Sequence, residues 1–178
     1  MPDLPFALIA VLVAAIIAAL SLARHAVLKQ CRQTVLVTYA SQSGTAYTIA
    51  KHTVAHLQHI GLSTRLRPIH ALKPTQFGRY AATLIIASSF GQGEPPDHAR
   101  PFHAHLAHSI DLSDVCFAVL ALGDHRYQHF CQFGRSIAAW MQANGAKLIC
   151  PVIEVDNECK DAVEAWYKRI QKITIDRH

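Results

Sequence analysis

The sequence predicts an α/β fold: a doubly wound sheet of five parallel strands with helices on both faces. Segments 34–39, 82–87 and 115–122 are short, continuous apolar runs, which is typical of strands buried on both faces. Stretches with helical periodicity alternate with these runs, and glycine, proline or hydroxyl residues cluster where each run ends. Strands that alternate with helices form parallel sheets, and ligands bind outside the carboxyl ends of such strands.

The first half of the predicted domain contains the elements around the first strand. A helix is predicted over 45–57, with an inward apolar stripe, and Gly61 ends it. Segment 63–69 alternates and carries two arginines, which favours a strand at the sheet edge. Segment 71–80 contains a proline and a glycine and is predicted to be a short helix or a loop.

The second half contains three further predicted helices and the last strand. A helix is predicted over the histidine-rich segment after loop 88–97, with Asp97 as its candidate N-cap. Two more helices are predicted over 137–144 and 162–173. Segment 148–155 is the predicted last strand, and the proline within it favours an edge position or a bulge.

The N-terminal segment predicts a membrane anchor. Residues 6–23 contain no charged residue, and at about 1.5 Å per residue they can cross most of a roughly 30 Å hydrocarbon core. Three basic residues follow this span and none precedes it, which predicts a single-pass anchor with the following domain in the cytoplasm. The chain is therefore divided into an anchor with its link, 1–32, and a domain over 33–178. A cleaved leader is the alternative, because residues 21–23 loosely resemble a cleavage site.

Composition limits the classes of function. The formal net charge is +5, but no run of Lys and Arg is interleaved with aromatic residues, so nucleic-acid binding has little support. The five cysteines form no C-x-x-C pair and are expected to be reduced in a cytoplasmic domain. Twelve histidines are present, but neither thiolates nor carboxylates accompany the helical ones, and no metal site is predicted.

A loop of small residues follows the first strand and suits a phosphate. Ser41, Ser43 and Thr45 supply hydroxyl groups, and Gly44 precedes the predicted helix. The N–H groups and the dipole at a helix N-terminus attract anions. The loop is neither a Walker A motif nor a G-x-G-x-x-G motif. Taken alone, an ordinary strand–turn–helix explains these residues equally well.

Two other loops at the carboxyl ends of predicted strands carry aromatic residues. Phe90 lies in loop 88–97 and Tyr127 in loop 123–130, both close to glycines. A planar ring stacked between the two aromatics, with its phosphate tail on the first loop, accounts for all three loops at once. The glycines would let backbone groups approach the edge of this ring.

These loops resemble those of the flavodoxin family, most closely the FMN domain of diflavin reductases of the sulfite reductase flavoprotein type. Three motifs carry the resemblance in the same order: SQSGTA at 41–46, SSFGQGEP at 88–95 and LALGDHRYQHFC at 120–131. The resemblance covers 33–173 and implies the strand order 2-1-3-4-5 and noncovalently bound FMN. It assigns to the FMN site Ser41, Gln42, Ser43, Gly44, Thr45, Ala46, Ser88, Ser89, Phe90, Gly91, Gly93, Leu122, Gly123, Asp124, His125, Tyr127, His129, Phe130, Cys131 and Asp156.

The resemblance also implies individual roles. Residues 41–46 would hold the phosphate, Phe90 and Tyr127 would flank the isoalloxazine ring, and the carbonyl of Gly91 would face flavin N5. Phe90 stands where the family usually has tyrosine, which keeps the stacking but loses a hydroxyl. Gln92 stands where the family usually has an acid. Less negative charge near the ring is expected to raise the reduction potential.

The predicted function is that of a membrane-anchored FMN protein that passes single electrons between a separate reductase and an acceptor. The expected partners are an FAD/NAD(P)H-dependent reductase or a membrane redox protein, and the lipid bilayer through residues 6–23. Because one flavodoxin-like domain accounts for 33–178, the chain is expected to be an electron carrier or a component of an NADPH-dependent flavoprotein oxidoreductase, with no catalytic side chain. The alternatives are the FMN subunit of a split diflavin reductase, a flavin or quinone reductase acting on small substrates, and a binding module that has lost FMN.

Overall fold

The computed structural model describes residues 9–22, 33–157 and 159–172 of the chain. Its first element is helix α1, residues 9–22, in which every residue is exposed. The rest of the predicted span, 6–8 and 23, lies outside the described residues. Within the described ranges, no helix combines the length and the apolar character that crossing a bilayer requires.

One parallel sheet forms the centre of the domain. Its strands are β1 (Thr34–Ala40), β2 (Ser63–Pro68), β3 (Ala82–Ser88), β4 (Cys116–Gly123), β5 (Lys147–Leu148) and β6 (Ile153–Asp156). The strands lie in the order β2-β1-β3-β4-β5, every pair is parallel, and β6 also pairs with β4. The predicted doubly wound sheet and the strand order implied by the resemblance are therefore confirmed.

The predicted last strand, 148–155, is divided into β5 and β6, so the sheet has six strands where five were predicted. Phe117 of β4 lies opposite Leu148, whereas Leu120 lies opposite Ile153. Three steps along β4 thus correspond to five steps along its neighbour, and the two extra residues form a bulge. Pro151 lies inside this bulge, where its missing N–H removes no bond from the ladder.

Helices pack on both faces of the sheet. They are α2 (Thr45–His59), α3 (Arg100–His103), α4 (Gln132–Ala143) and α5 (Lys160–Ile170). The helices predicted over 45–57, 137–144 and 162–173 correspond to α2, α4 and α5, with shifted ends. Segment 71–80, predicted as a short helix or a loop, falls mainly in a 3₁₀ turn over Pro74–Arg79.

The helix predicted after loop 88–97 is confirmed only in part, because one α-helical turn lies between two 3₁₀ turns. The segment consists of a 3₁₀ turn over Asp97–Ala99, the single turn of α3, and another 3₁₀ turn over Ala104–Ala107. The candidate N-cap Asp97 is instead the first residue of the first turn, whose N-cap is Pro96, and its carboxylate pairs with Arg100 at 2.9 Å.

The core consists of two apolar layers, one on each face of the sheet. Val35 and Val37 of β1 pack with α2 and α5, whereas Leu36 packs on the opposite face with α3 and α4. The largest buried side chain, Trp166 of α5, donates its indole N–H to the hydroxyl of Thr53 in α2 at 3.0 Å. These contacts fix the strand ends, and therefore the loops that follow them.

Candidate functional site

The loops after β1, β3 and β4 enclose one cleft of about 260 Å³ at the carboxyl edge of the sheet. Fourteen residues assigned from the sequence line this cleft: Gln42, Ser43, Thr45, Ser88, Ser89, Phe90, Gly91, Leu122, Gly123, Asp124, Tyr127, His129, Phe130 and Cys131. The other six assigned residues lie outside the lining: Ser41, Gly44, Ala46, Gly93, His125 and Asp156. The contacts of these six explain how the lining is held in place.

The hydroxyl loop, residues 41–45, is closed by its own side chains. The hydroxyl of Ser41 accepts a hydrogen bond from the N–H of Gly44 at 3.0 Å, and Gly44 has a left-handed φ of 96°. The hydroxyl groups of Ser43 and Thr45 lie 3.3 Å apart. Ala46 is buried in the first turn of α2, where it packs against the core. The loop therefore presents neutral donors directly at a helix N-terminus.

Helix α2 gives this loop a positive electrostatic potential. The helix has 15 residues and no acidic residue in its first turn, so its N-terminal dipole is not neutralised locally. The first helical hydrogen bond runs from Thr48 N–H to the Gly44 carbonyl at 2.9 Å, and the amides before Thr48 precede the helical ladder. Neutral hydroxyls and amides at a helix N-terminus suit a phosphate monoester.

Two exposed aromatic rings border the cleft. Phe90 is 55% exposed and Tyr127 is 42% exposed, although both line the cavity. Large apolar rings that remain this accessible are suited to stack on a planar ligand. The turn that carries Phe90 is closed by two 2.8 Å hydrogen bonds that its backbone exchanges with Glu94.

Gly93 joins the loop after β3 to the loop after β4. It has a φ of 97°, and a Cβ atom at this position would lie 2.6 Å from the Cβ of His129 and 2.7 Å from its carbonyl oxygen. Only a glycine allows both the conformation and this close approach. Gly93 therefore supports the cleft through His129 and does not line it.

Cys131 lies at the base of the cleft as a protonated thiol. It is fully buried, and its Sγ donates to the Ala121 carbonyl at 3.1 Å. Burial raises the pKa of this thiol to about 12, so a thiolate does not form near neutral pH. A Cβ on Gly123 would lie 2.7 Å from the Cys131 amide nitrogen, which shows how tightly the loop after β4 is folded.

Two carboxylates near the cleft are held by groups of the loop after β4. The Arg126 guanidinium binds Asp124 at 2.6 Å and lowers the pKa of this carboxyl to about 2. Asp156 accepts a hydrogen bond from the His125 N–H at 2.9 Å. The His125 ring contacts the Phe130 ring, with ring centres 3.7 Å apart and a tilt of 45° between the planes. Both carboxylates therefore help to hold the loop after β4 in place.

Asn157 lines the cleft and was missed by the sequence analysis. It follows β6, its φ is 43°, and its N–H donates to the Gly123 carbonyl at 3.1 Å. Its position at the end of a strand was the available signal, because strand ends of a parallel sheet meet at one edge. Asparagine is also one of the few side chains that tolerate a left-handed conformation.

The composition of the cleft fits FMN in two separate respects. One end offers neutral hydroxyls at a helix N-terminus, and the other offers two accessible aromatic rings beside glycines. Within 9–22, 33–157 and 159–172, no group of three or more His, Cys, Asp or Glu residues could hold a metal ion.

Comparison with known proteins identifies the family. The flavodoxin family model matches residues 37–166. The sulfite reductase [NADPH] flavoprotein alpha-component of Bacillus subtilis is 34% identical over 140 residues, which cover 78% of this chain and 23% of that protein. NADPH oxidoreductase A of Dictyostelium discoideum is 34% identical over 127 residues, or 70% of this chain and 20% of that protein. This chain thus spans between a fifth and a quarter of the length of these curated relatives.

Solved structures agree with this assignment. Flavodoxin 2 from Bacillus cereus has a TM-score of 0.68 and 26% identity, with 78% of this chain and 98% of that chain covered. A flavodoxin from Streptococcus pneumoniae TIGR4 has a TM-score of 0.70 and 21% identity, with 78% and 96% covered, and shows the shared fold. Flavodoxins bind FMN, which confirms the cofactor that the three sequence motifs imply. The chain belongs to the flavodoxin family.

Proposed function

We propose that this protein is an FMN-dependent carrier of single electrons. The observation that carries the proposal is the open cleft between Phe90 and Tyr127, whose rings remain 55% and 42% exposed. A cofactor stacked between such rings keeps one edge accessible to another protein. Homology to sulfite reductase flavoprotein subunits supports electron transfer as the activity of this domain.

In this proposal the side chains bind and orient FMN, and FMN supplies the redox chemistry. The hydroxyl loop holds the phosphate, and Phe90 and Tyr127 flank the ring. Two ionisable side chains of the cleft are held away from acid–base chemistry, because Cys131 stays protonated and Asp124 is bound by Arg126. The protein therefore acts through the position, the solvation and the electrostatic surroundings of the flavin.

The proposed electron donor is an FAD/NAD(P)H-dependent reductase, and the proposed acceptor is a second redox protein, which can be a membrane protein. The names of these two relatives include NADPH, and this chain aligns with between a fifth and a quarter of their length. A reductase domain, on a separate chain or elsewhere in a longer one, would supply the electrons. The FMN component of a diflavin reductase is one form of this proposal.

We also propose that residues 6–23 anchor the protein to a membrane, with the flavodoxin domain on the cytoplasmic side. The described part of this segment, α1, exposes eight large aliphatic side chains, the least exposed being Val13 at 48% and the most exposed Leu22 at 72%. Exposed apolar surface of this extent is unfavourable in water and is satisfied by lipid. Arg24, Lys29 and Arg32 follow the segment and favour a cytoplasmic domain.

The redox proposal is tested on the full chain purified in detergent. We expect flavin absorption bands, and an anaerobic reductive titration that proceeds in two separate one-electron steps. Phe90→Ala and Tyr127→Ala should each weaken FMN binding about two- to tenfold through lost stacking. Tyr47→Ala is the matched control, because this tyrosine is 41% exposed but outside the cleft lining. A protein that stays colourless with added FMN, or that alone oxidises NADPH with a quinone, contradicts the proposal.

The membrane proposal is tested by alkaline extraction of membranes from cells that express the full chain. We expect the protein in the pellet, and the double variant Leu12→Arg/Ile16→Arg in the supernatant, because each central arginine costs about 2.5–3.5 kcal/mol on insertion scales. Gln58→Arg/Gln142→Arg adds the same charge at exposed positions of the domain and should stay in the pellet. Wild-type protein in the supernatant contradicts the anchor. Protease digestion of the domain from the outer face of intact cells contradicts its orientation.

A further inference from the structure

A histidine outside the cleft is bound to the hydroxyl loop. The N–H of Ser41 donates to Nε2 of His98 at 3.4 Å, across 57 residues of sequence. One residue further along, the side-chain oxygen of Gln42 accepts a hydrogen bond from the N–H of Asp97 at 3.2 Å. The turn at residues 97 and 98 therefore holds the first two residues of the hydroxyl loop.

The bond to Ser41 requires neutral histidine. An imidazole nitrogen accepts a hydrogen bond only when it carries no proton, so Nε2 must be unprotonated and Nδ1 must carry the proton of the neutral ring. A protonated His98 would direct an N–H group at the N–H of Ser41. Protonation of this one ring would thus replace an attractive contact by a repulsive one at the start of the hydroxyl loop.

The surroundings of His98 favour the neutral form. The ring is half-buried and lies edge-on to His70, with ring centres 5.2 Å apart. Burial and the neighbouring His70 lower the pKa of His98, whereas Asp97 raises it. Asp97 is itself paired with Arg100 at 2.9 Å, and residues 41–45 contain no charged side chain. Near neutral pH the contact with Ser41 is therefore intact.

We propose that His98 is a positioning residue for the hydroxyl loop, and that its protonation weakens the binding of the phosphate end of FMN. This inference rests on the proposed role of the hydroxyl loop in holding the phosphate. His98 acts through Ser41 and lies outside the cleft lining. The hydrogen bond that positions Ser41 forms while the imidazole is neutral, and it is lost when His98 takes up a proton at lower pH.

The experiment compares FMN with riboflavin, which lacks the phosphate, by flavin fluorescence quenching with the full apo chain in detergent. His98→Ala should weaken FMN binding at pH 7.5 about two- to tenfold, the value of one hydrogen bond, and leave riboflavin binding unchanged. His98→Gln should retain the wild-type affinity, because its amide oxygen can occupy the position of Nε2 without titrating. His105→Gln, an exposed histidine of the same segment, is the matched control.

The pH profile separates a positioning role from a structural one. Between pH 7.5 and pH 5 the FMN affinity of wild type should fall about two- to tenfold relative to His98→Gln at the same pH. The protonation of the FMN phosphate itself cancels in this ratio. A ratio that does not change with pH, or an equal loss of FMN and riboflavin in His98→Ala, overturns the inference.

A further variant separates this inference from the proposal on which it rests. Ser43→Glu places a negative charge in the hydroxyl loop, where the helix N-terminus tolerates it. It should weaken FMN binding and not riboflavin binding. If Ser43→Glu weakens FMN and riboflavin binding equally, or neither, the phosphate does not lie at the hydroxyl loop. The proposed role of this loop and the role of His98 then both fail. If Ser43→Glu is selective but the His98 variants are not, only the role of His98 fails.

Discussion

Gly93 offers a test of how the cleft is held together. At this position an alanine meets two penalties: a left-handed φ of 97°, and a Cβ atom 2.6 Å from the His129 Cβ. Gly61 has a φ of 82° with nothing within 4 Å of an added Cβ, so Gly61→Ala isolates the first penalty. The conformational penalty is about 1–2 kcal/mol. Relieving the contact requires a shift of about 1 Å, and overpacking of this kind costs about 1–3 kcal/mol more.

Gly93→Ala should therefore lower the free energy of unfolding by about 2–5 kcal/mol, and Gly61→Ala by about 1–2 kcal/mol. The shift also moves His129, which lines the cleft, so FMN binding to Gly93→Ala should weaken at least about tenfold. Urea denaturation monitored by circular dichroism and flavin fluorescence titration measure the two effects. Equal losses of stability in the two variants, with unchanged FMN affinity, would refute the proposed contact between the loops.

Three further predictions concern the core, an ion pair and the thiols. Trp166→Phe removes the donor to the buried Thr53 hydroxyl and should lower the free energy of unfolding by about 1–3 kcal/mol. The double variant Trp166→Phe/Thr53→Val should recover part of this loss, because it also removes the unpaired hydroxyl. A double variant no more stable than the single one would contradict this. Arg135 lowers the pKa of Glu154, so the pair stabilises the fold above pH 4.5, the ordinary value for Glu, and loses this effect as the pH falls through the lowered pKa. The difference in unfolding free energy between wild type and Arg135→Gln should be about 0.2–1 kcal/mol at pH 7 and should shrink at acid pH, and a constant difference would count against the pair. In the folded protein, iodoacetamide at pH 8 should label the exposed Cys159 but not the buried Cys131, which should react only after urea unfolds the chain. Peptide mass spectrometry can follow both thiols. Equal labelling rates in the folded protein would show that Cys131 is neither protonated nor enclosed.

The sequence could predict those features that local pattern determines. β1, β3 and β4 are buried on both faces, so their apolar runs were unambiguous. The glycine, hydroxyl and aromatic residues at their ends placed most of the cleft lining, because the ends of parallel strands meet at one edge.

Features that depend on tertiary contacts could not be predicted in this way. The histidine-rich segment after loop 88–97 was predicted as one helix, yet only a single turn of it is α-helical, and there Phe102 is buried beside Phe77 and Trp140. The division of the last strand required the register against β4. The bond between Ser41 and His98 joins positions 57 residues apart, and neither residue alone gives a signal for it.

The arrangement of the cleft also affects how the protein folds. Its three loops follow β1, β3 and β4, which end at Ala40, Ser88 and Gly123 and pair side by side only after long crossovers. Parallel pairing over such separations forms late, because chain closure precedes the contacts that compensate for it. FMN can therefore recognise only the assembled sheet, and at one hundred times its dissociation constant it would add about 2.7 kcal/mol to the stability. The supply of FMN thus becomes a determinant of how much folded protein a cell retains.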